Sequence, residues 1–377
     1  MRRRHFLSLL APLALFACAD NGVGPGPDVA ELEPLEPQEV PELGEPSSEE
    51  RTRFARSSNA FAFDLYNEAA KPGANVALSP FSISTALTMT WAGAKGETEA
   101  QMRKVLHIEG SREEALMDAG KVSAWMQAKD RPFKLRAANR LFGEKTASFE
   151  RAFLDDSKRA FGAALAPVDF KGAFEPARAQ INGWVEGQTE KRIKDLLPEG
   201  SLTADTRMVL VNAIYFLADW ASPFEKNATY DAEFTTMAGA KKNVPTMHET
   251  ARFKFAQKDG VKVLELPYKG DTMSMMFVLP DAVDGISAVE RSLTADKLRE
   301  LRAAASKEEV QVALPKFEID PPDAIQLKVA LEALGMKEAF VRGVADFTGI
   351  SNPVSPAERL SVGDVFHKAF VKVDEKG

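Results

Sequence analysis

The sequence predicts an α+β fold, on three observations. Helical periodicity fills the first third of the body, alternating strands fill most of the rest, and no composition break divides the two. Residues 51–377 hold no long linker, low-complexity run or obvious repeat. One large unit is therefore the economical reading, although the length alone would permit two domains.

Asn59, Phe61, Phe63, Leu65 and Tyr66 open a helix that stops near Lys71-Pro72-Gly73. Ser79 then caps a new helix with Pro80 at its first position, where a missing N–H costs little. That helix runs through Ile83, Ala86, Leu87 and Met89 to Gly93, and its spacing predicts a buried face. Further helices are expected from Glu97 to Leu106 and from Arg112 to Gln127. Leu135 to Phe142 reads as a strand, and Ala173 to Leu197 as a long amphipathic helix around Ile181, Trp184, Val185 and Ile193. Met208 to Phe216 is nearly all apolar, as a strand covered on both faces should be. Val261 to Tyr268 and Met273 to Leu279 are two strands joined by Lys269-Gly270-Asp271, a hairpin signal. Val310 to Ile319 alternates around Pro315 as another strand, and Asp323 to Leu334 reads as a short helix ending at Gly335.

The N-terminus has the pattern of an export signal. Arg2-Arg3-Arg4 precede an apolar run from Phe6 to Ala17 that is too short to span a bilayer. Leu15-Phe16-Ala17-Cys18 resembles a bacterial lipobox, although Phe16 departs from the usual small residue. Cys18 is the only cysteine, which excludes intrachain disulfides and Cys-based metal sites, and it stands where lipid transfer needs a thiol. An ordinary cleaved signal with an incidental Cys is the alternative. Residues 19–50 carry ten acids and six prolines with no Lys, Arg or aromatic residue, a composition that reads as a solvated spacer. Extended at ~3.1 Å per residue, it would reach about 100 Å. The division expected is a lipoprotein signal peptide at 1–17, a lipidated Cys and acidic tether at 18–50, and the folded domain at 51–377.

The chain holds 48 basic and 55 acidic residues; three of the former lie in 1–18 and ten of the latter in 19–50. The body is left with 45 of each, so no net positive field gathers nucleic acid or heparin-like polymers. Nor does the sequence show a catalytic constellation. Of four His, His5 lies in the signal, His107 ends a charged helix, and His248 lacks the second His of a zinc helix. No phosphate loop, nucleophile elbow or dinucleotide fingerprint is present. Neither a cofactor nor a metal is expected. Paired carboxylates converging in space would leave no such pattern, so a surface hydrolase remains a minor alternative.

A series of segments points to a family. Asn75-Val76-Ala77-Leu78-Ser79-Pro80-Phe81-Ser82-Ile83-Ser84 comes first, followed by Gly93-Ala94-Lys95-Gly96-Glu97-Thr98 and Ala138-Asn139-Arg140-Leu141-Phe142. Ile181-Asn182-Gly183-Trp184-Val185-Glu186 precedes Leu210-Val211-Asn212-Ala213-Ile214-Tyr215-Phe216, Trp220 and Pro223-Phe224. Leu266-Pro267-Tyr268-Lys269-Gly270, Leu314-Pro315-Lys316-Phe317 and the run from Phe366 to Gly377 complete it. In this order, from about Ser57 to Gly377, they resemble the serpins, suicide inhibitors that trap proteases. The resemblance implies a large, mainly antiparallel central sheet, further smaller sheets and eight to nine helices. It also implies a mechanical reaction. A protease cuts an exposed loop, the loop inserts as a new strand of the central sheet, and the tethered protease is dragged away and distorted. The protein is then not an enzyme, and its partner is a serine or cysteine protease held in a covalent complex.

Residue by residue, the resemblance makes Ser79, Ser82, Asn212 and His367 the shutter beneath the sheet. Trp220, Lys316 and Glu375 become the breach where the loop first enters, and Glu375, Lys376 and Gly377 the approach to the hinge. Without the family, the first set reads as a helix cap plus a satisfied core His, and Lys316–Glu375 as a surface pair worth ~0–1 kcal/mol. Lys372 and Lys376 make the approach more basic than in many relatives. The bait bond would lie C-terminal to Gly377, so the sequence as it stands is expected to be a fragment of a longer product. Whether the hinge beyond it has the small residues of an inhibitor separates that reading from a non-inhibitory serpin acting as a surface binding or chaperone-like protein. A monomer is expected, exported and lipid-anchored through Cys18 to the outer membrane or cell surface rather than the inner membrane, because Ala19 follows the Cys.

Overall fold

The computed structural model describes Leu35 and residues 38–377, except 72, 163–164 and 356–357. The expected signal, Cys18 and most of the acidic stretch lie outside the described residues. The last part of that stretch departs from the spacer expected of it. Leu35 packs against a buried cluster, Gln38 to Ser47 lies against the body as a strap, and helix α1, Ser48–Ala69, begins before residue 50. Ser47 caps α1 through a reciprocal box with Glu50, which satisfies two otherwise orphaned N–H groups.

Helix α2, Pro80–Trp91, is capped by Ser79 and is buried nearly all round, as an apolar helix beneath a sheet must be. Helices α3, Gly96–Val105, and α4, Arg112–Met126, follow, with Ser111 and Glu114 forming a second capping box on α4. Strand β1, Phe133–Glu144, leads to α5, Arg151–Phe161, which stops at Gly162 in the left-handed region (φ 63°). After β2, Ala166–Val168, helix α6 spans Phe170–Gln188. It ends well before the Leu197 expected. The Thr189 hydroxyl bonds back to Val185 O at 2.8 Å, and Glu190 and Lys191 both take positive φ. Leu196 and Leu197 are buried in irregular chain beyond it.

Strand β3, Met208–Ala218, is buried at its lower end, but Phe216 and Leu217 at its upper end are exposed, so it is covered on both faces only in part. Strands β4, Thr229–Thr235, β5, Lys241–Lys258, β6, Val261–Pro267, and β7, Ser274–Pro280, form an antiparallel meander. The β6–β7 turn contains Gly270 and Asp271 at positive φ, the hairpin the sequence predicts. Helices α7, Ile286–Ser292, and α8, Ala295–Ala304, precede β8, Ser306–Pro315, and β9, Phe317–Ile319. The single strand expected around Pro315 is thus two, and they join different sheets: β8 pairs with β5, and β9 with a later strand. The helix expected from Asp323 gives way at its start to β10, Ile325–Gln326, and only Lys328–Leu334 is helical, as α9. Strands β11, Phe366–Lys368, and β12, Val371–Val373, end the order.

The central sheet runs β10-β11-β3-β1-β2. β1 and β3 are antiparallel from Phe133↔Ala218 to Gly143↔Met208, and β10 is antiparallel to β11, whereas β11 and β3 are parallel. One core, with Phe61, Leu65, Met89 and Trp91, lies among α1, α2, α4 and α9. A second, with Phe142, Phe170, Ile181 and Trp184, joins the central sheet to α6. A third, with Phe133, Leu135, Trp220, Met247 and Tyr268, fills the space between the central sheet and the meander. Nine α-helices and several sheets are found among the described residues, a mixed α+β architecture.

Candidate functional site

Two clusters mark the seam between β3 and β11. At its lower end the register sets His367 beside Asn212, and Asn212 opposite Asn139 on β1. His367 is fully buried. Its Nε2 accepts the Ser79 backbone N–H at 3.1 Å, so its Nδ1 carries the proton and donates to Asn212 Oδ1 at 3.2 Å. Asn212 Nδ2 donates to Asn139 Oδ1 at 2.6 Å and to Ser82 O at 2.7 Å. Burial pushes the His367 pKa down to about 4, because no anion offsets the cost of desolvating an imidazolium.

Ser79, Ser82, Asn212 and His367 are therefore brought together, the two serines mainly through their backbones. Ser79 contributes its N–H to His367 and its side chain to the α2 cap. Ser82 contributes only its carbonyl, and its Oγ is buried with no partner among the described residues. Asn139 completes the set and was missed as a site residue. The signal was there in the alternation, since Asn139 falls on the strand face that otherwise carries Leu135, Ala137 and Leu141, all buried. Next to the cluster, the buried ammonium of Lys368 donates to Lys194 O at 3.2 Å and Pro322 O at 2.9 Å.

The seam then loosens. Only His367↔Asn212 and Lys368↔Ala213 are in register, after which β12 leaves to pair with β9. No further register pair joins β12 to β3 among the described residues.

Above this gap lies the second cluster. Trp220 donates from Nε1 to Asp374 O at 3.0 Å and from its backbone to Lys376 O at 2.6 Å, and it stacks on Tyr268 with ring centres 4.6 Å apart. Lys316 Nζ reaches both Glu375 oxygens, at 3.0 and 2.9 Å, and the Thr229 hydroxyl donates to Oε1 at 3.0 Å. The Lys316 ammonium, then the residue's own backbone N–H, hold the Glu375 carboxyl down at about 2. The Glu375 side chain is 12% exposed and that of Lys316 35%, so the pair is half-buried rather than fully at the surface. Lys376 N–H bonds Asp374 Oδ1, and Asp374 N–H bonds Gly377 O, closing a turn. A Cβ on Gly377 would lie 1.9 Å from Ala218 O, so only glycine fits so close to β3.

Among the described residues no group of three or more His, Cys, Asp or Glu could hold a metal ion. Nor is any helix there long and apolar enough to cross a membrane. His107 pairs with Asp64 at the surface, and His248 stacks on Tyr230 and meets Ala228 O, so neither bonds a residue of the two clusters.

A family model described as "Serpin (serine protease inhibitor)" matches residues 56–377. The leukocyte elastase inhibitor of Equus caballus is 38% identical over 336 residues, 86% of each chain. Serpin B3 of Homo sapiens is 36% identical over 344 residues with the same coverage. Among solved structures, ovalbumin from emu (Dromaius novaehollandiae) superposes with a TM-score of 0.80 at 31% identity, over 86% of this chain and 87% of that one. Cleaved Serpin 42Da also gives 0.80, at 32% identity over 87% of both. Fold, ordered motifs and relatives agree: the chain belongs to the serpin family, a family of protease inhibitors rather than of enzymes.

Proposed function

We propose that this protein is a suicide inhibitor of serine or cysteine endopeptidases that acts by loop cleavage and strand insertion, lipid-anchored at the cell envelope. One observation carries the insertion step. β3 and β11 are parallel neighbours joined by two register pairs, with a loosened stretch above and a clasp at the top. The chain turns at Asp374–Gly377, so a strand continuing from Gly377 down the gap would run antiparallel to both neighbours. It would replace a short parallel contact with two antiparallel ladders, and the new hydrogen bonds favour insertion.

In this reading Trp220, Lys316 and Glu375 form the breach, which must open first. Asn139 joins Ser79, Ser82, Asn212 and His367 in the shutter, whose hydrogen bonds are exchanged as the strands part. The names of relatives such as the leukocyte elastase inhibitors support a protease partner. The test is incubation of the natively expressed protein with a panel of serine and cysteine proteases. A protease–inhibitor band that survives denaturation is expected, and its absence across the panel sinks the inhibitor reading. Anchoring is tested by the mass of the mature N-terminus. Diacylglyceryl-Cys18 with residues 1–17 removed is expected, and an unmodified start elsewhere rejects it.

A further inference from the structure

The strap and the lower cluster of the central sheet form one hydrogen-bonded network, and Gln38 is its junction. Its side-chain oxygen accepts the Asn139 backbone N–H at 3.0 Å, and its nitrogen donates to Phe161 O at the end of α5 at 2.9 Å. The side chain of the same Asn139 accepts from Asn212, which meets His367, which in turn accepts from Ser79. Direct contacts therefore run from the C-terminus of α5, through three strands, to the N-terminus of α2.

The position calls for such a residue. Among the described residues β2 pairs with β1 over Phe142–Glu144, and the outward N–H groups of β1 before that stretch are met by side chains instead. Ala137 N–H is taken by Gln127 at 2.9 Å, and Asn139 N–H by Gln38. Gln127 is fixed at the end of α4, whereas Gln38 arrives on a segment that precedes the first helix. The strap is seated on both sides of this contact. A Cβ on Gly162 would lie 1.9 Å from Glu39 O, so the backbones touch there. Further along, Glu45 accepts from Trp125 Nε1 at 3.2 Å and pairs with Arg131, before Ser47 caps α1.

We propose that Gln38 is a positioning residue for opening of the central sheet. By pinning β1 at Asn139 it holds the Asn139–Asn212–His367 set in its closed arrangement, and lifting the strap eases separation of β3 from β11. If the protein inhibits by insertion, the strap is a brake on that step; this last extension rests on the proposed function, whereas the opening itself does not.

Amide hydrogen exchange on the natively expressed protein, with no protease present, reads the opening. Gln38→Ala is expected to speed exchange about tenfold or more over residues 212–218 and 366–373, with β6 and β7 unchanged. Gln38→Glu keeps the acceptor for Asn139 and loses the donor to Phe161, so it should fall between. A second form carries a specific cleavage site at 41–44 and is cut only after folding, which separates the effect from misfolding; the same acceleration is expected. Acceleration confined to Asn139 and the last turn of α5 would make Gln38 a local edge cap and overturn the proposal. So would unchanged exchange after the strap is cut. Faster opening without any covalent protease complex would support the strap and count against the inhibitor reading alone.

Discussion

His367 is neutral because nothing around it repays the cost of burying a charge, and that fixes how stability depends on pH. Its folded pKa, about 4, lies below its unfolded value near 6.5, so the unfolded chain takes up the proton first. The contribution is complete above pH 6.5 and is lost as pH falls toward 4. About 2 kcal/mol of a total near 3 should be gone at pH 5, at ~1.4 kcal/mol per unit. Denaturant unfolding at pH 7 and pH 5, compared with His367→Gln, checks this; an equal pH dependence in both proteins would refute it. Glu375 has the same sense in a separate, more acidic window, since its depressed pKa gives stability above 4.5 that is lost toward 2. His367→Ala leaves Ser79 N–H and Asn212 Oδ1 unpaired, at ~1–3 kcal/mol each, and should lower thermal stability or promote polymers visible on native gels. Ser82 supplies a contrast. Its hydroxyl is buried without a partner, so Ser82→Ala should leave the melting temperature unchanged or raise it. Ser79→Ala, which removes a cap, should cost about 1 kcal/mol.

At the scale of elements, α4 and α5 pack so closely that a Cβ on Gly120 would lie 2.3 Å from Ala160 O. Two effects oppose each other in Gly120→Ala: helix propensity gains ~1 kcal/mol, and overpacking against backbone costs ~1–3. Because the obstacle is a carbonyl rather than a flexible side chain, a lower unfolding midpoint is expected, and a higher one would show that the helices can part. The same distinction between local and distant causes explains what the sequence revealed. Ser79-Pro80 and Gly335 mark helix ends through their own backbone chemistry, so they are legible one residue at a time. The alternation around Pro315 is identical for one strand or two, and only distant partners send β8 and β9 to different sheets. The end of α6 was hidden because Ile193, Leu196 and Leu197 are apolar and buried as a helix face would be, yet Glu190 and Lys191 turn the chain out of the helix. Gln38 carried no signal, since its Pro-rich acidic surroundings argue against packing of any kind.

For the whole molecule, the proposed reaction requires that the uninserted sheet be the less stable one. Cutting the exposed loop with a protease that is not captured should therefore raise the unfolding temperature by well over 10 °C, as a strand is added to the sheet. An unchanged transition would mean that the cut loop stays out, and would favour a non-inhibitory role. The family was legible because its motifs recur in order along most of the chain, and that resemblance, not the residues alone, set Asn212 beside His367. Asn212 and His367 lie far apart in sequence, and only the parallel register of β3 and β11 makes them neighbours.

Two tryptophans give the molecule its own optical gauges. Trp220 is buried against Tyr268 and Asp374, so release of the clasp would carry its indole toward water and shift its emission to the red. Trp125 lies under Arg131 and donates to Glu45 on the strap, so it would respond to strap release instead. Replacing one and then the other with Phe would let stopped-flow fluorescence time both events in a single unlabelled protein and show which comes first.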